Sequence, residues 1–106
     1  VIVCMDYIYE NLHTKITLPV LAEITGLSPS YLSRLFRRET GMTVSEYITR
    51  KRIEAAENML KYSEYSCIEI SGNLCFSSES HFIQVFRRYT GYTPKQYRHK
   101  FFRRKK

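Results

Sequence analysis

The sequence predicts an all-α chain of seven helices, and three observations lead to that class. No segment alternates apolar and polar residues with the two-residue period of a strand. Apolar residues recur instead at helical spacing in successive stretches. Ser, Thr or Pro stands where several of these stretches begin and Gly stands where two of them end, and these are the residues that helix termini favour.

Three helices are predicted before residue 42. The first covers residues 2–13, and its apolar residues are Ile2, Met5, Ile8, Tyr9 and Leu12. The second runs from a capping residue, Thr17, to Gly26, and the third runs from the capping residue Ser28 to Gly41. The apolar stripe of the third helix consists of Leu32, Leu35 and Phe36.

Four further helices are predicted in the rest of the chain. The longest covers about residues 43–61, and a short fifth helix covers residues 67–74. Ser78 caps the sixth, whose stripe consists of Phe82, Val85, Phe86 and Tyr89. Pro94 opens the seventh helix, which is expected near residues 94–102.

Positive charge is concentrated toward the C-terminal end. The formal net charge is +7, and nine Lys and Arg residues but no acid follow Glu79. Up to Leu35 there are only two basic residues against three acidic ones. This distribution favours a polyanionic partner, either nucleic acid or an anionic membrane surface. For residues 103–106, a solvated tail that aids solubility is an equal alternative.

Several other classes are disfavoured. The three cysteines (Cys4, Cys67 and Cys75) form no CxxC pair and the histidines lack zinc-ligand spacing, so we expect reduced thiols and no metal site. No Gly-rich phosphate loop or catalytic constellation stands out, which argues against an enzyme and against a cofactor. No signal peptide or apolar run of membrane length is present, so we expect a cytoplasmic protein that does not enter a membrane.

One stretch of the chain is repeated fifty residues later. FRRETGMTVSEY at residues 36–47 returns as FRRYTGYTPKQY at residues 86–97. Each copy is preceded by a small residue, a turn residue and an apolar residue, the pattern of a helix-turn-helix unit. These are Ala22, Gly26 and Leu32 in the first copy, and Ser71, Cys75 and Phe82 in the second. The second turn is one residue longer, and Cys75 either avoids a positive φ there or is strained.

The outward faces of the third and sixth helices favour contact with DNA bases. The residues left outward, at spacing i, i+3, i+4 and i+7, are Ser30, Ser33, Arg34 and Arg37, then Ser80, Ile83, Gln84 and Arg87. Arg34 has the donors for guanine O6 and N7, Gln84 suits adenine, and Ile83 suits a thymine methyl group. A solvated helix face, or a duplication made for packing alone, is the alternative.

The length of the central helix suggests a bipartite binding site. A helix of about 19 residues spans about 28 Å, and successive major-groove faces on one side of B-DNA lie about 34 Å apart. One chain could therefore place both second helices in neighbouring grooves, on an operator with two unlike halves.

These motifs resemble the DNA-binding domain of AraC/XylS-type bacterial transcription regulators. The resemblance rests on LAEITGLSPSYLSRLFRRETGMTVSEYI, RIEAAENML and FSSESHFIQVFRRYTGYTPKQYR, and the run from residue 86 to 98 corresponds to the family signature. Ser71 and Cys75 depart from the usual Ala and Gly. The resemblance implies two helix-turn-helix subdomains (about residues 1–42 and 62–102) joined by a long central helix (about 43–61).

The resemblance also implies which residues contact DNA. Helices three and six become the recognition helices, with base-contacting candidates Ser30, Ser33, Arg34, Glu79, Ser80, Ile83 and Gln84. The phosphate-contacting candidates are Tyr31, Arg37, Arg38, Thr43, His81, Arg87, Arg88 and Thr93. Glu79 could accept from cytosine N4, although a role at the N-terminus of its own helix is the alternative that we favour.

The implied partners are double-stranded DNA, RNA polymerase and an N-terminal sensor or dimerisation domain. The family mostly activates transcription, so activation is the expected mode, and a start at Val1 rather than Met fits a C-terminal piece of such a regulator. Two rivals remain open: a helical protein-interaction module without specific DNA readout, and a nucleic-acid binder that is blind to sequence.

Overall fold

Seven α-helices make up the computed structural model over the residues that it describes, 1–102. They are α1 (Ile2–Glu10), α2 (Leu18–Thr25), α3 (Pro29–Thr40), α4 (Val44–Tyr62), α5 (Cys67–Asn73), α6 (Glu79–Thr90) and α7 (Pro94–Phe101). No strand occurs in this part of the chain. The prediction of an all-α fold with seven helices is therefore confirmed, while the basic run at residues 103–106 lies outside the described residues.

The chain divides into two compact units, the first unit (Val1–Lys51) and the second unit (Arg52–Lys106). The boundary falls within α4, which spans Val44–Tyr62. The helix that the sequence places between the subdomains therefore contributes residues to both units rather than standing apart as a linker.

Helix termini follow the residues that the sequence marks as caps. The side chains of Thr17, Ser28 and Ser78 each accept a hydrogen bond from a backbone N–H three residues later. Gly26 and Gly41 end α2 and α3 in the left-handed conformation, with φ of 73° and 77°. These caps satisfy backbone groups that a helix end leaves without an intrahelical partner.

The buried face of α1 differs from the predicted stripe. Cys4 and Ile8, one turn apart, are fully buried, whereas Ile2 and Tyr9 are 74% and 75% exposed. The helix also ends at Glu10, three residues earlier than predicted. Only two of the nine residues of α1 are buried, so the elements that pack against this helix decide which face is covered.

The first unit has a core drawn from four helices. It consists of Cys4, Ile8, Leu21, Ala22, Leu32, Phe36, Val44 and Ile48. Phe36 meets the ring of Tyr47 edge-on, with 5.3 Å between ring centroids, a geometry that aromatic pairs favour. The first turns of α4 thus complete the core around α3.

The second unit repeats this arrangement. Its buried residues include Ile53, Ala56, Leu60, Ile70, Leu74, Phe82, Val85, Phe86 and Tyr97. Phe86 meets Tyr97 edge-on at the same 5.3 Å that separates Phe36 from Tyr47. Tyr89, predicted as part of the α6 stripe, is 41% exposed instead. The buried residues of α6 are the other three members of that stripe, Phe82, Val85 and Phe86.

Local hydrogen bonds reproduce the sequence repeat. The Thr40 hydroxyl donates to the carbonyl of Phe36 and accepts from the N–H of Met42, and Thr90 makes the equivalent pair of bonds with Phe86 and Tyr92. Reciprocal capping bonds link Thr43 to Glu46 and Thr93 to Gln96. The hydrogen bonds at the end of α3 in the first unit therefore recur at the end of α6 in the second unit.

The two helix-helix turns also share one backbone path. The N–H of Leu27 donates to the carbonyl of Ala22 at 3.1 Å, and the N–H of Phe76 donates to the carbonyl of Ser71 at 3.0 Å. Cys75, in the position of Gly26, has a φ of 60°. The sequence left open whether this turn avoids a positive φ, and the structure shows that it does not.

Replacing Cys75 by glycine is expected to stabilise the protein by about 0.5–1 kcal/mol. The left-handed conformation costs a residue with a Cβ about 1–2 kcal/mol, and the greater freedom of glycine in the unfolded chain offsets part of that gain. Chemical denaturation of Cys75→Gly measures the change. Because Cys75 is exposed, the substitution removes little packing.

The matched control is the reverse change in the first turn. A Cβ at Gly26 has no heavy atom within 4 Å apart from its chain neighbours, so Gly26→Cys tests φ alone and should destabilise by about 1 kcal/mol. Equal stability of Cys75→Gly and the wild type would contradict the assignment of strain to this turn.

Candidate nucleic-acid interface

Helix α3 presents an uninterrupted polar face. Burial of Leu32 and Phe36 fixes the rotation of the helix about its axis, and Ser30, Ser33 and Arg34 are all exposed on the opposite side. Arg37 continues this face into the last turn, where it is also exposed. The predicted outward stripe therefore exists as a surface, with a guanidinium group at its centre.

Helix α6 presents a narrower face. Ser80, Gln84 and Arg87 are exposed, but Glu79 and Ile83 are half-buried. Both line a cavity of about 470 Å³ together with residues from α4, α5, α7 and the residue before α7, namely Leu60, Cys67, Thr93, Pro94, Lys95 and Arg98. The neighbouring helices thus cover part of the side of α6 on which helical spacing alone places Ile83.

The Glu79 carboxylate lies beside the Cys67 thiol. Burial, then a hydrogen bond to Glu79 and the charge of that carboxylate, raise the pKa of Cys67 to about 11. Glu79 also stands in the first turn of α6, where the helix dipole favours a negative charge. The position of Glu79 therefore fits a role at the N-terminus of α6 better than a role on the outer face of that helix.

Arginines on the last turns of α3 and α6 flank these faces. Arg37 and Arg38 are exposed at the end of α3, as are Arg87 and Arg88 at the end of α6. Tyr31 is also exposed, at 44%. His81 is exposed, and its ring contacts Phe76 at 5.9 Å between centroids.

The two candidate threonines occupy the N-termini of α4 and α7. The hydroxyl oxygens of Thr43 and Thr93 accept from the N–H groups of Glu46 and Gln96, both at 3.1 Å. A hydroxyl group that accepts one bond still carries a hydrogen to donate. Both residues therefore combine a structural cap with a donor that an anion can use.

Charge distinguishes the two capping pairs. The backbone N–H and the hydroxyl of Thr43, together with the nearby Arg37, lower the pKa of Glu46 below its usual value. The first unit therefore holds a carboxylate close to Arg37, whereas the second unit has the neutral Gln96 in the equivalent place. The surroundings of Arg87 are correspondingly less acidic at this point.

Two residues of the second unit were not identified from the sequence. Lys95 lies on the same cavity as Ile83, and Arg98 donates to the backbone carbonyls of Leu60 and Ser63 at 3.2 and 3.1 Å. Comparison of the two copies could have drawn attention to Lys95, since Ser45 occupies its place in the first copy. The contacts of Arg98 join residues more than thirty positions apart. The spacing of residues within one helix does not predict such contacts.

The described residues carry neither a metal-ligand cluster nor a membrane-spanning helix. Among the described residues, no group of three or more His, Cys, Asp or Glu side chains is placed to hold a metal ion. Within the same part of the chain, every helix is too short or too polar to span a bilayer.

Comparison with known proteins places this geometry in context. A family model described as a helix-turn-helix domain matches residues 21–100. The F1 operon positive regulatory protein of Yersinia pestis is 37% identical over 95 residues, which are 89% of this chain and 32% of that protein. The regulatory protein SoxS of Salmonella typhimurium is 34% identical over 91% of this chain and 90% of its own length. The chain thus spans about a third of some relatives and most of others.

Solved structures agree with the sequence relatives. The C-terminal domain of the two-component response regulator yesN from Fusobacterium nucleatum is similar with a TM-score of 0.83 and 35% identity, covering 91% of this chain and 94% of that one. The DNA-binding domain of AdpA, a global transcriptional factor solved in complex with a target DNA, is similar with a TM-score of 0.88 and 28% identity, covering 93% and 89%.

Proposed function

Because this chain belongs to the AraC/XylS-type family of helix-turn-helix transcription regulators, which are not enzymes, we propose that it binds double-stranded DNA sequence-specifically through α3 and α6. The proposal depends on one observation: the two units repeat the same local contacts, but α3 and α6 present different outward residues. Equivalent caps and ring contacts hold α3 and α6, yet Arg34 on one corresponds to Gln84 on the other.

Base recognition falls to short polar residues around one long donor on each helix. On α3, Arg34 donates two hydrogen bonds from its guanidinium N–H groups to O6 and N7 of guanine, and Ser30 and Ser33 lie close to the bases beside it. On α6, Gln84 pairs with adenine, and Ser80, one turn earlier on the same face, is a further base contact. Ile83 contributes its exposed part to a thymine methyl group, and Glu79 accepts from cytosine N4 only if it leaves Cys67.

Phosphate contacts position the recognition helices without reading sequence. The arginines at the ends of α3 and α6 supply the charged contacts, and hydroxyl and ring groups supply the neutral ones. The proposed set is Tyr31, Arg37, Arg38, Thr43, His81, Arg87, Arg88 and Thr93. Their exposure or position at a helix N-terminus supports this role.

We further propose that both recognition helices bind one duplex in successive major grooves. The operator then has two unlike half-sites about one helical turn apart. Activation is the proposed mode, since one relative is a positive regulatory protein. RNA polymerase, a sensor or dimerisation domain on the N-terminal side and a cytoplasmic location belong to the same proposal.

Selection from a pool of random DNA duplexes tests the proposed function. We expect enrichment of two short, dissimilar motifs separated by about one helical turn, because the two outward faces differ and belong to one chain. Binding without any enriched motif would identify a nucleic-acid binder that is blind to sequence. Absence of binding at low salt would favour the protein-interaction module and overturn the proposal.

A further inference from the structure

The beginning of α4 and the whole of α7 occupy equivalent places in the repeat but carry different charges. The residues of α4 are Ser45, Glu46, Thr49 and Arg50, and their counterparts on α7 are Lys95, Gln96, His99 and Lys100. One acid and one base in the first unit are thus replaced by two lysines, a histidine and a neutral amide. All four α7 residues are exposed, so their charges face solvent rather than the core.

Lys95 connects this surface to the recognition helix α6. It lines the cavity of about 470 Å³ that also contains Ile83 and Thr93. It also lines a second, larger hollow that runs along α7 beside Tyr92, His99 and Lys100. Lys95 therefore lies between the half-buried side of α6 at Ile83 and the basic side chains farther along α7.

Lys100 lies near the end of α6 that carries the arginines. Its ammonium nitrogen is 5.6 Å from the centroid of the Tyr92 ring, and Tyr92 directly follows Gly91, the C-cap of α6. The last turn of α6 contains Arg87 and Arg88. Two acids border this surface: Glu79 lines the cavity that also contains Lys95, and Glu64 shares a third hollow with His99.

We propose that Lys95, His99 and Lys100, the α7 basic surface, bind DNA phosphates next to the half-site that α6 reads. This inference rests on the proposed function and adds basic side chains at positions where the first unit has Ser45 and Thr49, while Lys100 corresponds to the basic Arg50. Lysine is a compact charge on a flexible stem, which suits phosphate binding without base recognition. The second unit then carries a larger share of the salt-dependent affinity than the first unit.

The double variant Lys95→Ser/Lys100→Gln tests this surface on the whole chain. The slope of log K against log salt is negative, and each lost phosphate contact reduces its magnitude by about 0.9, so the magnitude should fall by about 1.8. Between 50 and 200 mM salt, the affinity of the wild type should consequently decrease about 12-fold more than that of the variant. The probes are a duplex recovered by selection and a mixed-sequence duplex of equal length.

Matched variants separate this surface from general charge. Lys15→Gln/Lys61→Gln removes the same two charges elsewhere and should leave the slope unchanged. Arg87→Ala should reduce the magnitude of the slope by about 0.9. This variant tests the proposed function independently of α7. Circular dichroism and thermal melting confirm that each variant is folded.

The outcomes are distinct. If Arg87→Ala reduces the magnitude of the slope but the α7 double variant matches the wild type, the α7 surface makes no phosphate contact and the proposed function stands. An equal loss in the Lys15/Lys61 control would also overturn the α7 contact, because charge alone would then explain the effect. If the wild type binds neither duplex, both proposals fail.

Discussion

Replacing Arg34 by alanine is expected to abolish the preference for one base pair in the first half-site and to leave the second half-site unchanged. A bidentate contact of this kind discriminates against the wrong base by about 1–3 kcal/mol, which corresponds to about 5- to 150-fold in affinity. Arg34 is exposed on the outer face of α3, so its loss should not disturb the core. Binding to a panel of duplexes with single base changes measures the effect.

Two controls isolate base reading from charge. Arg34→Lys keeps the positive charge but loses the planar fork, so it should also lose most of the preference. Arg87→Ala should weaken binding to every duplex alike and leave the preference intact. If Arg34→Ala instead weakened all duplexes equally, Arg34 would be a phosphate contact and the role assigned to α3 would be wrong.

Replacing Arg98 by alanine is expected to destabilise the second unit by about 2–4 kcal/mol. The guanidinium group donates to the carbonyls of Leu60 and Ser63 at 3.2 and 3.1 Å, and to that of Met59 at the longer distance of 3.5 Å. Hydrogen bonds to a charged group contribute about 1.5–3 kcal/mol each. The variant removes this donor from the carbonyls of Leu60 and Ser63 and loosens the attachment of α7, whereas the Met59 carbonyl still accepts from the N–H and the hydroxyl of Ser63.

Hydrogen exchange resolves this effect by unit. Amides of α7 should exchange faster in Arg98→Ala, while those of α1 to α3 should keep the wild-type rate. Arg98→Lys should fall between the two because an ammonium group cannot reach all three carbonyls in the same geometry. Arg88→Ala, an exposed arginine of the same unit, should change stability by less than about 0.5 kcal/mol. Wild-type exchange in Arg98→Ala would show that these contacts contribute little.

The boundaries of α3 and α6 were predictable because their causes are local, whereas the end of α1 was predicted three residues too late. The caps at Ser28 and Ser78 and the glycine at Gly41 act within a few residues, so the sequence alone places the ends of α3 and α6 correctly. The α1 face was not predictable, since Cys4 is buried and Tyr9 exposed only because of what packs against that helix.

The candidate site shows the same limit. Helical spacing correctly predicts that Ser33 and Gln84 are exposed, because the buried residues of each helix fix its rotation. It does not predict that Ile83 and Glu79 are half-buried, since the residues that cover them, Cys67 and Pro94, lie on other helices. Spacing within one helix carries no information about its neighbours.

The position of the boundary inside α4 has a consequence for synthesis of the chain. The core of the first unit needs no residue beyond Ile48, so it can close while the remainder is still being translated. Units with local helical contacts form quickly, and N-terminal units fold first as they leave the ribosome. We therefore expect the first unit to fold before the residues of α5 are synthesised. Its apolar side chains are then buried, and so protected from intermolecular contacts, while the rest of the chain is translated.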